Sequence, residues 1–201
     1  MHLHAWNSPP TEPLTADDWR HKPYLIEYSD AMMREKVDYM TRLLEDTFQT
    51  KMVSHRAGRW AFDERYARLL VEYGYQVDCS VTPRVNWKTA KGAPQGDGGT
   101  DYRRFPQHAY FLDENDISRE GHSLLEVPMS IQYKHSAWMN SVKQGYDRLR
   151  GKVRSPSVHW LRPMGGNVET MKKVVEQTLT QGNDYVEYML HSSEYMPGGS
   201  P

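Results

Sequence analysis

Two histidines one residue apart, His2 and His4, are the residues of this chain whose type and spacing most directly suggest chemistry. In an extended segment, side chains at positions i and i+2 project from the same face. Both imidazoles could then reach one divalent cation. The spacing therefore predicts part of a metal site, most simply a zinc site. The alternative is a solvated histidine pair, because such pairs near a chain terminus are more often solvated than metal-bound.

Three further polar clusters follow predicted strands: His55 with Arg56, Asp78, and His191 with the polar residues after it. In α/β proteins the carboxyl ends of parallel strands meet at one edge of a sheet or barrel, where binding sites form. We therefore expect the histidine pair and these clusters to lie in one cleft.

Helical periodicity predicts the elements that position these residues. One helix begins after Ser29 or Asp30 and carries apolar residues at spacings of three and four. These apolar residues are Met33, Val37, Met40, Leu44 and Phe48. A second helix begins after Asp63 and ends at Gly74, where a left-handed residue is favoured. A third begins after Asn167 and ends at Gly182.

Short apolar runs predict strands at residues 52–55, 75–81, 124–131, 157–161 and 185–190. Pro128 indicates that its strand is an edge strand or ends there. Residues 7–24 and 82–116 are rich in proline, glycine and aromatics, which predicts long loops. Alternating strands and helices indicate an α/β fold with mostly parallel strands. We expect one domain over residues 1–201.

Composition excludes several classes of protein. The chain has 201 residues, 38% of them hydrophobic, and a formal net charge of −1. Lysine and arginine form no basic stripe, which argues against nucleic-acid binding. One cysteine, Cys79, excludes an internal disulfide framework. No apolar run is long enough to span a bilayer, so we expect a soluble protein, assigned here to the cytoplasm.

Five segments together resemble the polysaccharide deacetylase superfamily, the carbohydrate esterase family four and its relatives. In chain order they are H-L-H-A-W at 2–6, R-A-G-R-W at 56–60, D-C-S-V at 78–81, L-E-V-P at 125–128 and H-S-S-E at 191–194. No single segment is specific, but together they span nearly the whole chain in the order of the family.

The resemblance implies a (β/α) barrel, usually of seven strands, that removes acetyl groups from N-acetylated sugars with a divalent metal. In this family an Asp and two His bind the metal, and a second Asp acts as the base. On this pattern His2 matches the first metal histidine and His4 the second, although many relatives place it at the position of Trp6. Arg56 matches the arginine that orients the catalytic carboxylate, and His191 matches the general acid.

Other residues become candidates for substrate binding. Arg59 could contact the sugar or could instead pair with a carboxylate at the surface. Asp78 could contact the sugar or could instead fix the turn after its strand. Trp60, Trp87 and Trp160 could stack on sugar rings, although large aromatics more often pack in the interior.

The sequence also departs from the family. Its opening motif, T-F-D-D-G or an acidic variant, supplies the base and the metal-binding Asp, and this sequence contains no such motif. Asn86-Trp87 stands where relatives have Asp-Trp. We therefore expect an incomplete barrel that lacks its first strand and helix, with an exposed sheet edge and poor solubility. Two functions remain open: a metal-dependent deacetylase, or an inactive carbohydrate-binding or structural remnant.

Overall fold

The structure, a computed structural model, describes residues 1–135, 138–140, 146, 149, 157–196 and 198. The chain divides into two compact units, Met1–Pro128 and Met129–Pro201. The expectation of a single domain stays a prediction.

A five-stranded, mostly parallel sheet forms the centre of the first unit. Its strands are β1 (His2–Leu3), β2 (Ser54–Ala57), β3 (Val77–Asp78), β4 (Tyr110–Asp113) and β5 (Asp116–Glu126). They lie in the order β1-β2-β3-β5-β4. The first four in this order are parallel, and β4 pairs with β5 in an antiparallel hairpin.

This sheet confirms the α/β class and the parallel arrangement, but not the barrel. In the described part of the chain the central sheet has five strands, and no seven-stranded barrel is seen. The β4–β5 hairpin also corrects the expectation of an irregular stretch over 82–116. Its strand Asp116–Glu126 begins well before the predicted residue 124, because its first half is mostly polar and lacks an apolar run.

Three α-helices connect these strands: α1 (Asp18–His21), α2 (Asp30–Phe48) and α3 (Glu64–Glu72). Ser29 caps α2 by accepting a hydrogen bond from the amide of Met32 at 3.3 Å. Asp63 caps α3 by accepting one from the amide of Tyr66 at 2.9 Å. Both predicted helix starts are therefore confirmed, as is the left-handed Gly74 after α3, with φ of 79°.

The buried stripe of α2 follows the predicted apolar face only at first. Met33 and Val37 are buried as expected, whereas Phe48 is 64% exposed. Lys36 is also buried, and its ammonium group donates to the carbonyl of Ser8 at 2.8 Å. Helical periodicity does not predict the burial of Lys36, because lysine counts as a solvent-facing residue in such a pattern.

Strand register separates the side chains of β1, β2, β3 and β5 onto two faces. His2 lies opposite Arg56, so these two side chains share one face, which we call the histidine face. His55 lies opposite Asp78, and Asp78 lies opposite Glu126, so these three share the other face. Because successive side chains alternate along a strand, His55 and Arg56 point in opposite directions. We call the second face the helix face, since His55 there contacts Tyr66 of α3.

The second unit contains an antiparallel pair, β6 (Ile131–Tyr133) and β7 (Val158–Trp160), and the helix α4 (Val168–Thr180). These elements confirm the strand predicted at 157–161 and the helix after Asn167. Residues 185–190, expected as a final strand, form none. They make isolated hydrogen bonds instead, such as the one from the amide of Met189 to the carbonyl of Leu161 at 3.2 Å. No helix in the described residues has the length and apolar character needed to cross a membrane.

Candidate functional site

The two histidine rings converge at the carboxyl end of β1. The Nε2 atoms of His2 and His4 lie 3.0 Å apart. The Nδ1 atom of His2 lies 2.8 Å from the carbonyl oxygen of Arg56. Because a carbonyl oxygen only accepts, Nδ1 carries the proton in the neutral ring, and the lone pair of Nε2 faces His4.

This arrangement fits two ligands of a divalent cation. Zinc–nitrogen bonds of about 2.0–2.1 Å in a tetrahedral site place two nitrogens roughly 3.3 Å apart. The observed separation is 3.0 Å. Histidine ligands of metals commonly donate their second ring N–H to a backbone carbonyl, as His2 does to Arg56. The same separation also fits a hydrogen bond between two neutral rings, so the geometry permits a metal without requiring one.

The described part of the chain supplies two histidine ligands rather than a complete metal site. Within the described residues, no group of three or more His, Cys, Asp or Glu side chains is arranged to hold a metal ion. A tetrahedral cation has four ligands, so a cation bound by His2 and His4 would need two further ligands, such as water or substrate.

Arg56 and Trp60 form the wall beside the histidine pair. Arg56 shares the histidine face with His2, and its guanidinium carbon lies 5.4 Å from the centre of the Trp60 ring. Its Nε donates to the carbonyl of Cys79, the residue directly after β3, at 3.2 Å. The structure thus brings together four predicted site residues: His2, His4, Arg56 and Trp60.

The turn after β2 holds this wall in a strained conformation. Arg59 and Trp60 have φ angles of 55° and 61°, in the left-handed region that is unfavourable for residues other than glycine. The carbonyl of Trp60 accepts a hydrogen bond from the buried Tyr102 hydroxyl at 2.7 Å. Before them, Gly58 packs so closely on β1 that a Cβ atom there would lie 2.6 Å from Nδ1 of His4.

Arg59 and Trp87 have mainly structural contacts. The Arg59 guanidinium lies 4.1 Å from the centre of the Tyr24 ring and donates to the carbonyls of Lys22 and Lys91. The Trp87 indole donates to the Thr82 hydroxyl at 2.9 Å and packs against the core. Their roles in substrate binding stay predictions.

Asp78, another predicted substrate-binding residue, is fully buried on the helix face. Its Oδ1 lies 2.5 Å from Nδ1 of His55 and accepts from the Ser80 hydroxyl at 2.9 Å. Its Oδ2 accepts from the amide of Ser80 at 2.9 Å. A carboxylate enclosed in this way does not reach solvent in this structure, and its expected contact with a sugar stays a prediction.

His55, Asp78 and Glu126 form a line of ionisable groups that we call the buried row. Burial lowers the pKa of His55, outweighing the opposing effect of Asp78. The Nε2 of the neutral ring accepts from the Tyr66 hydroxyl at 2.7 Å. For Asp78, burial disfavours the charged form, but hydrogen bonds, above all from His55, hold its pKa below its ordinary value.

Glu126 completes the buried row as a neutral acid. Burial and the adjacent Asp78 carboxylate raise its pKa well above its ordinary value. Its Oε1 accepts from the amide of Val81 at 3.0 Å. The raised pKa of Glu126 and the lowered pKa of Asp78 favour a row with one negative charge, on Asp78.

The sequence pattern did not predict that His55, Tyr66 and Glu126 lie together around Asp78. Each lies in a different segment, and the apolar runs around His55 and Glu126 conceal their charge. One feature of the sequence could have predicted the row: each of three predicted strands contains an ionisable residue, namely His55, Asp78 or Glu126. Pairing these strands in register would align the three residues.

His191 and Trp160 lie in the second unit. The Nδ1 of His191 lies 3.5 Å from the Arg162 guanidinium, and Arg162 forms an ion pair with Glu194 at 3.0 Å. Glu194 also accepts a hydrogen bond from the amide of His191 at 2.5 Å. Trp160 is half-buried on β7, opposite Ile131. That these residues share a cleft with His2 and His4 stays a prediction.

Comparisons of this chain with known protein families, with curated proteins and with solved structures found no significant match.

Proposed function

We propose that this chain is a hydrolase that uses a divalent metal, most simply zinc, to remove acetyl groups from the N-acetylated sugars of a polysaccharide, within a barrel of the polysaccharide deacetylase type. The observation that carries this proposal is the histidine pair. Its two Nε2 atoms lie 3.0 Å apart, and the carbonyl of Arg56 fixes the tautomer of His2. The five sequence segments that resemble the family support the same function.

In this proposal each residue has a defined part. A bound divalent cation would polarise the acetyl carbonyl and lower the pKa of a water molecule. His2 and His4 hold the cation through Nε2. Arg56, fixed against Trp60 and the carbonyl of Cys79, orients a catalytic carboxylate or the substrate. His191 donates a proton to the departing amine, while Trp60, Trp87 and Trp160 offer apolar surfaces for sugar rings.

A second candidate is a catalytically inactive protein that binds carbohydrate. It is favoured by one specific observation: among the described residues, no third His, Cys, Asp or Glu side chain joins His2 and His4 in a group that could hold a metal ion. Such a protein would use the wall of Arg56 and Trp60 for binding and would release no acetate.

Acetate release from a chitooligosaccharide, with and without added zinc, distinguishes these functions. We expect zinc-dependent release by the unmodified chain, loss of release in His2→Ala and His4→Ala, and no loss in His122→Ala, an exposed histidine of β5. Oligosaccharide binding without zinc-dependent acetate release would replace the first function by the second.

A further inference from the structure

The buried row joins three neighbouring strands at the ends that lead into the candidate site. His55 on β2, Asp78 on β3 and Glu126 on β5 are directly paired in register. All three are at most 2% exposed. Asp78 lies between the other two and accepts hydrogen bonds from His55 and from Ser80, which lies two residues after it in the chain.

Short covalent and hydrogen-bonded paths lead from this row to the histidine face. The Ser80 hydroxyl, held by Asp78, accepts from the amide of Ala57 at 2.8 Å. Ala57 directly follows Arg56, whose carbonyl oxygen fixes the ring of His2. The amide of Cys79, next to Asp78, donates to the carbonyl of His55 at 2.9 Å, and the Cys79 carbonyl accepts from Arg56.

We propose that Asp78 is the positioning residue of the candidate site: its buried carboxylate aligns the ends of β2, β3 and β5, and through Ser80 and the Arg56 peptide it sets where the two histidine rings converge. Glu126 is its neutral partner. This inference rests on the proposed function for its purpose, but its structural content is measured without catalysis.

The charge balance of the row explains why Glu126 matters. A neutral Glu126 lets Asp78 keep its negative charge, whereas two buried carboxylates side by side would repel each other. The other ionisable groups that act on the row are the Met1 amino group, Arg56, Cys79, Tyr66 and Tyr102. None of these is a second buried carboxylate. Raising the pH through the pKa of Glu126 therefore creates the repulsion and disturbs the alignment.

The first test replaces the carboxylate of Asp78 by an amide. Asp18 offers a matched control in the same unit, since its carboxylate is also largely buried and accepts hydrogen bonds from Leu14, Thr15 and Tyr28. Nuclear magnetic resonance of ¹⁵N-labelled histidine rings reports the tautomers of His2 and His4 directly. We expect Asp78→Asn to shift these ring signals, and to weaken zinc binding by at least about tenfold where zinc binds, while Asp18→Asn leaves both unchanged. Unshifted signals in a folded Asp78→Asn protein would overturn the proposal.

The second test removes the titration and keeps the shape, so it remains informative if Asp78→Asn does not fold. In Glu126→Gln the side chain stays neutral at every pH, and its amide oxygen can still accept from the amide of Val81. We expect the melting temperature of the unmodified protein to fall relative to Glu126→Gln as the pH rises above about 4.5, the ordinary pKa of a glutamate. Parallel profiles for the two proteins would contradict the proposal.

The two proposals fail in different ways. If the unmodified protein binds no zinc and releases no acetate, the proposed function is wrong. The ring signals of His2 and His4 still decide whether Asp78 positions the pair, and the pH profile of Glu126→Gln still decides whether Glu126 is its neutral partner.

Discussion

The same parallel strands carry two different kinds of chemistry on their two faces. The histidine face presents imidazole and guanidinium groups that are half-buried or exposed, beside a strained turn at Arg59 and Trp60. The helix face presents His55, Asp78 and Glu126, which are enclosed by α3 and the core. Both faces are polar, so polarity alone does not identify a site. Access to solvent decides which face can bind a ligand. The enclosed helix face can affect ligand binding only through the backbone of the strands that the two faces share.

The largest effect that separates the two faces is expected for Asp78→Ala. The substitution leaves the buried His55 ring and the Ser80 hydroxyl without their acceptor, and each buried donor left unsatisfied costs about 1–3 kcal/mol. Urea unfolding measures this loss. The matched control is Glu120→Ala, on the same sheet, because the Glu120 carboxylate is 68% exposed in its pair with His108; we expect that change to cost less than about 1 kcal/mol. Equal losses in the two variants would contradict the contrast between the faces.

An intermediate effect is expected for Gly58→Ala. The added Cβ would lie 2.6 Å from Nδ1 of His4 and closer still to the carbonyl of Leu3, so β1 and the turn must separate. We expect a loss of about 1–3 kcal/mol in unfolding free energy, together with weaker zinc binding by isothermal titration calorimetry.

Gly74→Ala controls for this experiment. Gly74 has φ of 79°, and a Cβ there would have no atom within 4 Å. Its substitution should cost about 1–2 kcal/mol through backbone strain and leave zinc binding unchanged. A Gly58→Ala protein that binds zinc like the unmodified chain would show that the close packing on His4 does not matter.

The smallest effect on stability is expected for Arg56→Ala, on the histidine face. The side chain is half-buried, and we expect a change within about 1 kcal/mol. Zinc binding should persist, since the Arg56 carbonyl that fixes His2 remains. Acetate release should fall on the order of tenfold or more, and Arg56→Lys should restore little, because an ammonium group cannot reproduce the planar contact with Trp60. Full acetate release by Arg56→Ala would remove Arg56 from the site.

Sequence patterns predicted the elements better than their connections. The starts of α2 and α3 follow from Ser29 and Asp63, because a helix cap is a local interaction within three residues. Strand β4 and the first half of β5 were missed, because hairpin pairing depends on register rather than on an apolar run. Residues 185–190 failed as a strand because apolar alternation does not supply a neighbouring strand to pair with.

In the candidate site, too, the sequence predicted local features but not those that depend on strand pairing. The convergence of His2 and His4 was predictable, because residues i and i+2 of an extended segment share a face. The burial of Asp78 was not, because the residue pattern did not show which face of β3 packs against α3. The grouping of His55, Asp78 and Glu126 required the register of three strands that are distant in sequence.

X-ray absorption at the zinc edge, on the protein with one equivalent of zinc, tests most directly whether the histidine pair binds a metal. We predict a first shell that contains two imidazole nitrogens at about 2.0–2.1 Å, which loses a nitrogen in His2→Ala and is retained in His122→Ala. A spectrum without histidine scattering, or one that His2→Ala leaves unchanged, would contradict the assignment of His2 and His4 as metal ligands.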